Sequence, residues 1–253
     1  MAAPSEVGDA PKPRNRKISE LVARDFLRRI GTDGLVAGDS LPNERDAMDW
    51  LGVSRASLRE GLRLLEAHGV VAVRSGPGGG PVVREADPET LASSTTLLLE
   101  FLRVDFGEVI DARIAFEPQI AEAAAHRRDE RQLARLMLAV GEMSALAGHW
   151  DRFQTPYNTF HRVLAEATGN RVLLVAGLTF RKVWDVMHSE VRYAEPQLTA
   201  TVRSHRNVAE AVLVRDGETA RQASRAHLVE YKQWLERHQP DLLHKRVEWV
   251  GTP

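Results

Sequence analysis

The sequence predicts a mainly α-helical chain, with an N-terminal winged helix-turn-helix followed by an antiparallel all-helical bundle. Three observations carry this expectation. Apolar residues recur at three- and four-residue spacing through most of the 253 residues, β-branched alternation is confined to residues 69–84, and short Gly- or Pro-marked breaks separate the helical runs. With 43% hydrophobic against 27% charged residues, the chain has enough apolar material for a sizeable core. The cysteine count is zero, which excludes thiolate chemistry, disulfides and cysteine-bound zinc, so any metal site must be built from His and carboxylate.

Residues 1–17 contain Pro4, Pro11 and Pro13 among charged residues and no apolar run, and read as a mobile arm rather than a signal peptide. Leu21, Val22, Phe26 and Ile30 then define a first helix that ends at Gly31. Pro42-Asn43-Glu44-Arg45 opens a second, with Asn43 as N-cap, Asp46 at the capping-box position, and Ala47, Met48 and Leu51 as the apolar face. After the Gly52-Val53 turn, Ser54 caps a third helix over 55–68. Its Leu58, Leu62 and Leu65 lie on one face and Arg55, Arg59 and Arg63 on another.

Two helices joined by a short turn, the second bearing an arginine stripe, suit insertion of that second helix into a DNA major groove. A guanidinium bridges guanine O6 and N7 or clamps a phosphate, while Ser57 and the helix N-terminus donate to the backbone. The ordinary alternative is a solvated face. Residues 69–74 and 82–84 flank the Gly-rich tip 75–81 and read as a β-hairpin, either a wing that brings Arg74 and backbone N–H groups to the sugar-phosphate or a plain surface loop. No Lys-Ser or Lys-Thr follows the glycines, which argues against a phosphate-cradling P-loop. From Lys12 to Arg84, 13 Lys or Arg stand against 9 Asp or Glu, so the total charge of -1 conceals a basic N-terminal module.

The expected division is a DNA-binding domain over 18–84, a linker over 85–88, a helical domain over 89–237 and a tail over 238–253. Helical spacing runs over 89–103, 106–127, 129–147, 152–168, 171–190, 198–215 and 218–236, with loops short enough for an antiparallel bundle. No apolar run reaches membrane-spanning length, since Arg181 and Lys182 interrupt 172–184, and a cytoplasmic protein is expected. His205 lies twelve residues before Gly217 and His227 ten after it, about 18 and 15 Å from the same turn at 1.5 Å per residue. They can therefore face each other, and His161 on another helix can complete a trio able to take zinc, nickel, cobalt or copper. The alternatives are histidines that only pack a structural bundle, or a three-histidine hydrolase. The hydrolase lacks a well-placed general base, because Glu166 points away from the face of His161.

The run LPNERDAMDWLGVSRASLREGLRLLEAHGVV and the glycine wing resemble the N-terminal domain of the GntR family of bacterial transcription regulators. The resemblance implies DNA contacts by Arg45, by Ser54, Arg55, Ser57 and Arg59, and by Ser75 and Gly76 at the wing. The helical region is similar to the FCD effector-binding domain of the FadR branch. The similarity is carried by Phe160-His161-Arg162 with Ala165 to Asn170, and by His205 with Ala211, Asp216-Gly217-Glu218, Ala220 and His227. It implies that His161, His205 and His227 are the metal ligands of metal-containing members, holding zinc, nickel or a similar divalent transition metal. Those members add an aspartate one turn before the first histidine, where this chain has Tyr157; Asn158 is adjacent but about 100° around the helix. Arg113 either meets an anionic effector or pairs with Glu117 on the surface. The resulting expectation is a homodimeric, non-enzymatic repressor of a DNA operator. It would sense a small organic acid through Arg113, Tyr157 and Asn158.

Overall fold

The computed structural model describes residues 14–249 except 75, 77, 78, 86, 87, 128, 189 and 192. The chain divides into two compact units, residues 1–90 and 91–253.

The first unit contains α1 (Arg14–Thr32), α2 (Glu44–Leu51), α3 (Arg55–Ala67), β1 (Val71–Arg74) and β2 (Gly80–Val83). Helix α1 begins inside the stretch expected as an arm. Residues 14–17 contain no helix breaker, and a proline just ahead of a helix is compatible with its start. Val22 and Phe26 are buried and Ile30 packs against the same cluster, as the spacing predicts, whereas Leu21 is 53% exposed and Ala23 takes its place in the core. Asn43 accepts from Asp46 N, and its amide donates to the Asp46 carboxylate; this ties the cap side chain to side chain, without the reciprocal backbone bond of a capping box. Gly52 ends α2 in the left-handed region at φ 63°. Helix α3 buries Leu58, Leu62 and Leu65 as expected, against Val22, Phe26 and Ala47. The hairpin pairs Val71 with Val83 through Arg74 with Gly80, and Ser40 adds a bridge to Val82.

The second unit follows with α4 (Pro88–Phe101), which runs across the division, then α5 (Phe106–His126), α6 (Glu130–Ala145) and α7 (Trp150–Ala167). Next come α8 (Arg171–His188), α9 (Glu195–Leu213), α10 (Gly217–His238) and the short α11 (Pro240–Leu243). Helix α5 is central and touches α7, α8, α9 and α10. Its N-terminus carries a complete capping box between Asp105 and Glu108. One apolar cluster includes Ile120, Leu136, Tyr157 and Phe160; a second includes Phe106, Ile110, Trp184 and Leu235. Arg113 and Glu117 therefore lie on α5 between residues of the two clusters. The expected tail is integral to the unit over 240–249. Leu243 and Val247 are buried, Phe106 N donates to Lys245 O, and Val247 N donates to Val104 O. That order comes from pairing with residues far away in sequence, which periodicity cannot reveal.

Candidate functional site

Two groups of sequence-predicted residues are brought together, one in each unit. In the first, the capped N-terminus of α3 displays its polar side chains. Arg45, Ser54, Arg55 and Arg59 are exposed, and Ser57 is half-buried. Ser54 Oγ accepts from Ser57 N at 3.3 Å and lies 3.0 Å from Ser57 Oγ. Arg55 and Arg59 are neighbours on one face, because both reach Glu44 of α2. Arg59 Nε donates to Glu44 Oε1 at 2.7 Å, and Arg55 Nη1 is 3.6 Å from Oε2. The bond from Arg59 holds the Glu44 carboxyl below its usual range against a small opposing effect of burial. Glu44 was not singled out by sequence reasoning, since the contact spans fifteen residues and two helices. Gly76 is exposed at the wing tip with φ 98°, a conformation open to glycine. Ser75 lies outside the described residues.

The second group converges inside the helical unit. Arg113, on α5, is 1% exposed and grips Glu117 with two bonds, Nε to Oε1 at 2.5 Å and Nη2 to Oε2 at 3.1 Å. The i, i+4 pair the sequence allows is thus formed, but in the interior instead of on the surface. Burial opposes the charge of Arg113, yet the fields of Glu117 and Tyr157 outweigh it and raise its pKa. The Arg113 Cζ also lies 3.8 Å from the Trp184 ring centroid. From α8, Arg181 donates to Asn158 Oδ1, approaches Asp185 Oδ1 at 2.6 Å and sits 4.5 Å over the Tyr157 ring. Burial pushes the Asp185 carboxyl up, in opposition to Arg181. Among the described residues, four buried side-chain atoms have no hydrogen-bond partner: Arg113 Nη1, Arg181 Nε, Arg181 Nη1 and Trp184 Nε1.

The three predicted histidines do meet. His205 Nε2 lies 3.2 Å from His161 Nε2, and the rings of His205 and His227 are 4.4 Å apart. Burial is the first cause lowering the pKa of each, with that of His227 falling to about 3, so all three imidazoles are neutral near pH 7. The contact with Thr201 sets the tautomer of His205. Thr201 O can only accept, so His205 Nδ1 donates to it at 2.8 Å and Nε2 is left as an acceptor. His161 Nδ1 lies 3.7 Å from Glu117 Oε2 and His227 Nδ1 lies 2.8 Å from Ser204 Oγ, so the Nδ1 side of each ring meets an oxygen while the Nε2 atoms of His161 and His205 face each other. Tyr157 stands where the metal-containing relatives carry a carboxylate, with its ring 4.9 Å from that of His161. Arg181 adds positive charge that further lowers the pKa of His161. Among the described residues, no group of three or more His, Cys, Asp or Glu is arranged to hold a metal ion. Three neutral imidazoles would offer a divalent cation nitrogen donors, with no carboxylate at position 157 to complete the set.

Other candidates serve elsewhere. Asp111 is exposed and pairs with Lys232 at 2.6 Å, and Glu166 is held by Arg135 at 2.5 Å. Trp150 and Phe153 pack together. Sequence reasoning missed Arg181 and His188. His188 is buried, contacts Tyr193 Oη, and stacks on Tyr157 with ring centroids 5.5 Å apart. The seven-residue spacing of the two, which puts both on one face of α8, was the available signal. Glu117, His161, Leu164, Leu178 and Arg181 line a cavity of about 20 Å³, room for a single water.

Comparison with known proteins gives consistent matches to both units. A family model described as "Bacterial regulatory proteins, gntR family" matches residues 18–79, and the FCD domain model matches residues 108–230. A protein of Escherichia coli K12 named "Putative L-lactate dehydrogenase operon regulatory protein" is 31% identical over 224 residues, 84% of each chain. The "HTH-type transcriptional repressor NanR" of Cronobacter sakazakii is 27% identical, over 88% of this chain and 86% of the other. Among solved structures, "Streptococcus agalactiae GntR" superposes with a TM-score of 0.65 at 22% identity, covering 85% of this chain and 99% of that one. That last likeness concerns the fold alone.

Proposed function

The chain belongs to the GntR family of bacterial regulatory proteins and carries an FCD domain, and on that premise we propose that it is a homodimeric repressor whose affinity for its operator changes when a small organic acid binds the helical unit. It is a ligand-responsive, DNA-binding regulator of transcription. The finer reading rests foremost on one observation: the capped N-terminus of α3 presents Arg55 and Arg59, exposed and side by side, with Arg45 exposed at the start of α2. In this reading residues 18–84 read DNA and residues 89–237 bind the effector. Arg55 and Arg59 meet base edges or phosphates, Arg45, Ser54 and Ser57 fix the docking, and the wing with Ser75 and Gly76 follows the sugar-phosphate. Dimer symmetry matches a near-palindromic operator. No helix among the described residues is long and apolar enough to cross a membrane, and the regulator works where its DNA is, in the cytoplasm.

Arg113, Tyr157 and Asn158 hold the effector. For this to alter DNA affinity, the acid must bind the operator-competent and operator-incompetent dimer arrangements with different strength. His161, His205 and His227 would hold a divalent metal, which would add positive charge for the acid's carboxylate. Family membership gives no support to the hydrolase or the purely structural bundle.

Footprinting on the gene's own upstream region tests the reading. Arg55→Ala and Arg59→Ala should each weaken specific binding about tenfold or more, as loss of a bidentate base contact does. Circular dichroism and effector binding should be unchanged. Two folded variants with wild-type footprints would overturn α3 as the reading helix.

A further inference from the structure

We propose that Glu44, at the start of α2, is a positioning residue that sets DNA specificity: its carboxylate holds one edge of the Arg59 guanidinium so that the other edge is presented to a guanine, and it turns phosphates away from that same group. The inference deepens the DNA-binding reading above and rests on it.

Arg59 Nε donates to Glu44 Oε1 at 2.7 Å and Nη2 donates to Oε2 at 3.4 Å, so the carboxylate occupies the edge of the guanidinium formed by Nε and Nη2. Both N–H bonds of Nη1 and the second of Nη2 remain, and the Arg59 side chain is 56% exposed. One N–H from each of these two nitrogens points the same way and makes a second fork, the shape that meets O6 and N7 of guanine. Arg55 Nη1 stands 3.6 Å from Oε2 on the other side, which keeps the carboxylate between two arginines. The backbone beneath is fixed. Ala47 of α2 shares a buried cluster with Leu58 and Leu62 of α3, and Asn43 and Ser54 cap the two helices, so Glu44 and Arg59 face each other from rigid elements.

Two effects follow from this arrangement. An unrestrained arginine loses rotamer freedom when it binds a base, whereas a guanidinium already gripped by a carboxylate has lost it before DNA arrives. The carboxylate also selects what approaches. A phosphate oxygen carries a formal negative charge, and contact with Arg59 would bring it close to the charge of Glu44. Guanine O6 and N7 carry only partial charges and are repelled far less. Glu44 keeps its charge because the bond from Arg59 holds its carboxyl below the usual range. The reading face thus gives up some affinity for any duplex and gains discrimination for one base, the effect of a repulsive group placed in an interface. A salt bridge that merely braced α2 against α3 would instead support binding to every duplex alike.

Titration of the full-length protein tests this with three kinds of duplex over a salt series: the footprinted operator, the same operator with single G·C pairs changed to A·T, and random duplex of equal length. In the wild type at least one such change should weaken binding about tenfold or more. Glu44→Ala should shrink that penalty to about threefold or less, tighten binding to random duplex severalfold, and steepen its salt dependence by about one released counterion. Arg59→Ala should abolish the same guanine preference, and Glu44→Ala added to it should change that preference no further, since the carboxylate acts through the arginine. If Glu44→Ala does not fold, Glu44→Gln carries the test, because it removes the charge while keeping the side chain's length. A guanine penalty that is absent from the wild type, or unchanged in a folded Glu44 variant, overturns the proposal. So does equal weakening on all duplexes, or a further change in preference on the Arg59→Ala background, which would put Glu44 itself on the DNA. The regulator reading fails on a different result, a wild-type footprint in Arg55→Ala and Arg59→Ala, so the two failures are distinguishable.

Discussion

Gly61 shows how one missing side chain sets the approach of two helices. A Cβ there would lie 2.5 Å from Val22 Cγ1 and 3.0 Å from Ser19 O, so α1 can pack on α3 as it does only with hydrogen at that position. Gly61→Ala should therefore destabilise the protein by about 1–3 kcal/mol, the usual cost of overpacking. Urea unfolding with circular dichroism measures it, and an unchanged midpoint would mean that α1 shifts aside freely. At this scale legibility follows sequence distance. The caps Asn43 and Ser54 and the leucines of α3 are readable, because each acts within one or two turns of chain. Arg59 with Glu44 is not, and neither is Arg181. In sequence Arg181 merely interrupts an apolar run; its contacts with Asn158 and the Tyr157 ring exist only once α7 and α8 are packed.

Helices make the same distinction with longer segments. The apolar periods locate α5 to α10 to within a few residues, and the α9–α10 pair brings His205 and His227 together as their equal distance from Gly217 predicts. What the period cannot say is whether a polar residue meeting its partners forms a metal site or a hydrogen-bonded one, since this depends on tautomers and on the neighbouring charge. Nor does it show which apolar face stays uncovered. On α4, Ala92 and Thr96 are buried while Leu91, Leu97, Leu98 and Phe101 are exposed, Phe101 to 80%, and Leu102 just past its end is exposed too. An apolar stripe this long along one helix marks an association surface, and we assign it to the second copy of the proposed homodimer. Leu98→Lys combined with Phe101→Lys should convert the dimer to a monomer in light scattering while the monomer keeps its helical content. A double variant that remains dimeric would place the interface elsewhere.

Across the whole helical unit, the enclosed imidazoles link stability to pH. His161, His188, His205 and His227 all have pKa values lowered by burial first, with nearby arginine charge adding to the effect. In the unfolded chain a histidine takes up its proton near pH 6.5, whereas the folded unit resists protonation far below that, down to about 3 for His227. Between those values the unfolded state binds more protons, so acidification favours unfolding. The stabilisation is fully present above about pH 7 and declines as pH falls below about 6.5, by up to about 1.4 kcal/mol per pH unit for each imidazole that stays neutral. Urea titrations at pH 7.5, 6.5 and 5.5, followed through the fluorescence of buried Trp184, should give a midpoint that drops steeply over the last interval. His188→Gln should shallow that slope by about one proton, because it removes one titrating group while leaving the arginine pair in place. Acidification that leaves the wild-type midpoint unmoved, or raises it, would mean that the imidazoles are already charged in the folded protein. An anion would then be drawn to the pocket by histidine charge as much as by Arg113 and Arg181, with its affinity increasing toward low pH. With neutral imidazoles, carboxylate affinity instead stays level from pH 7.5 to 6.5, which makes the two charge arrangements separable in a single titration series.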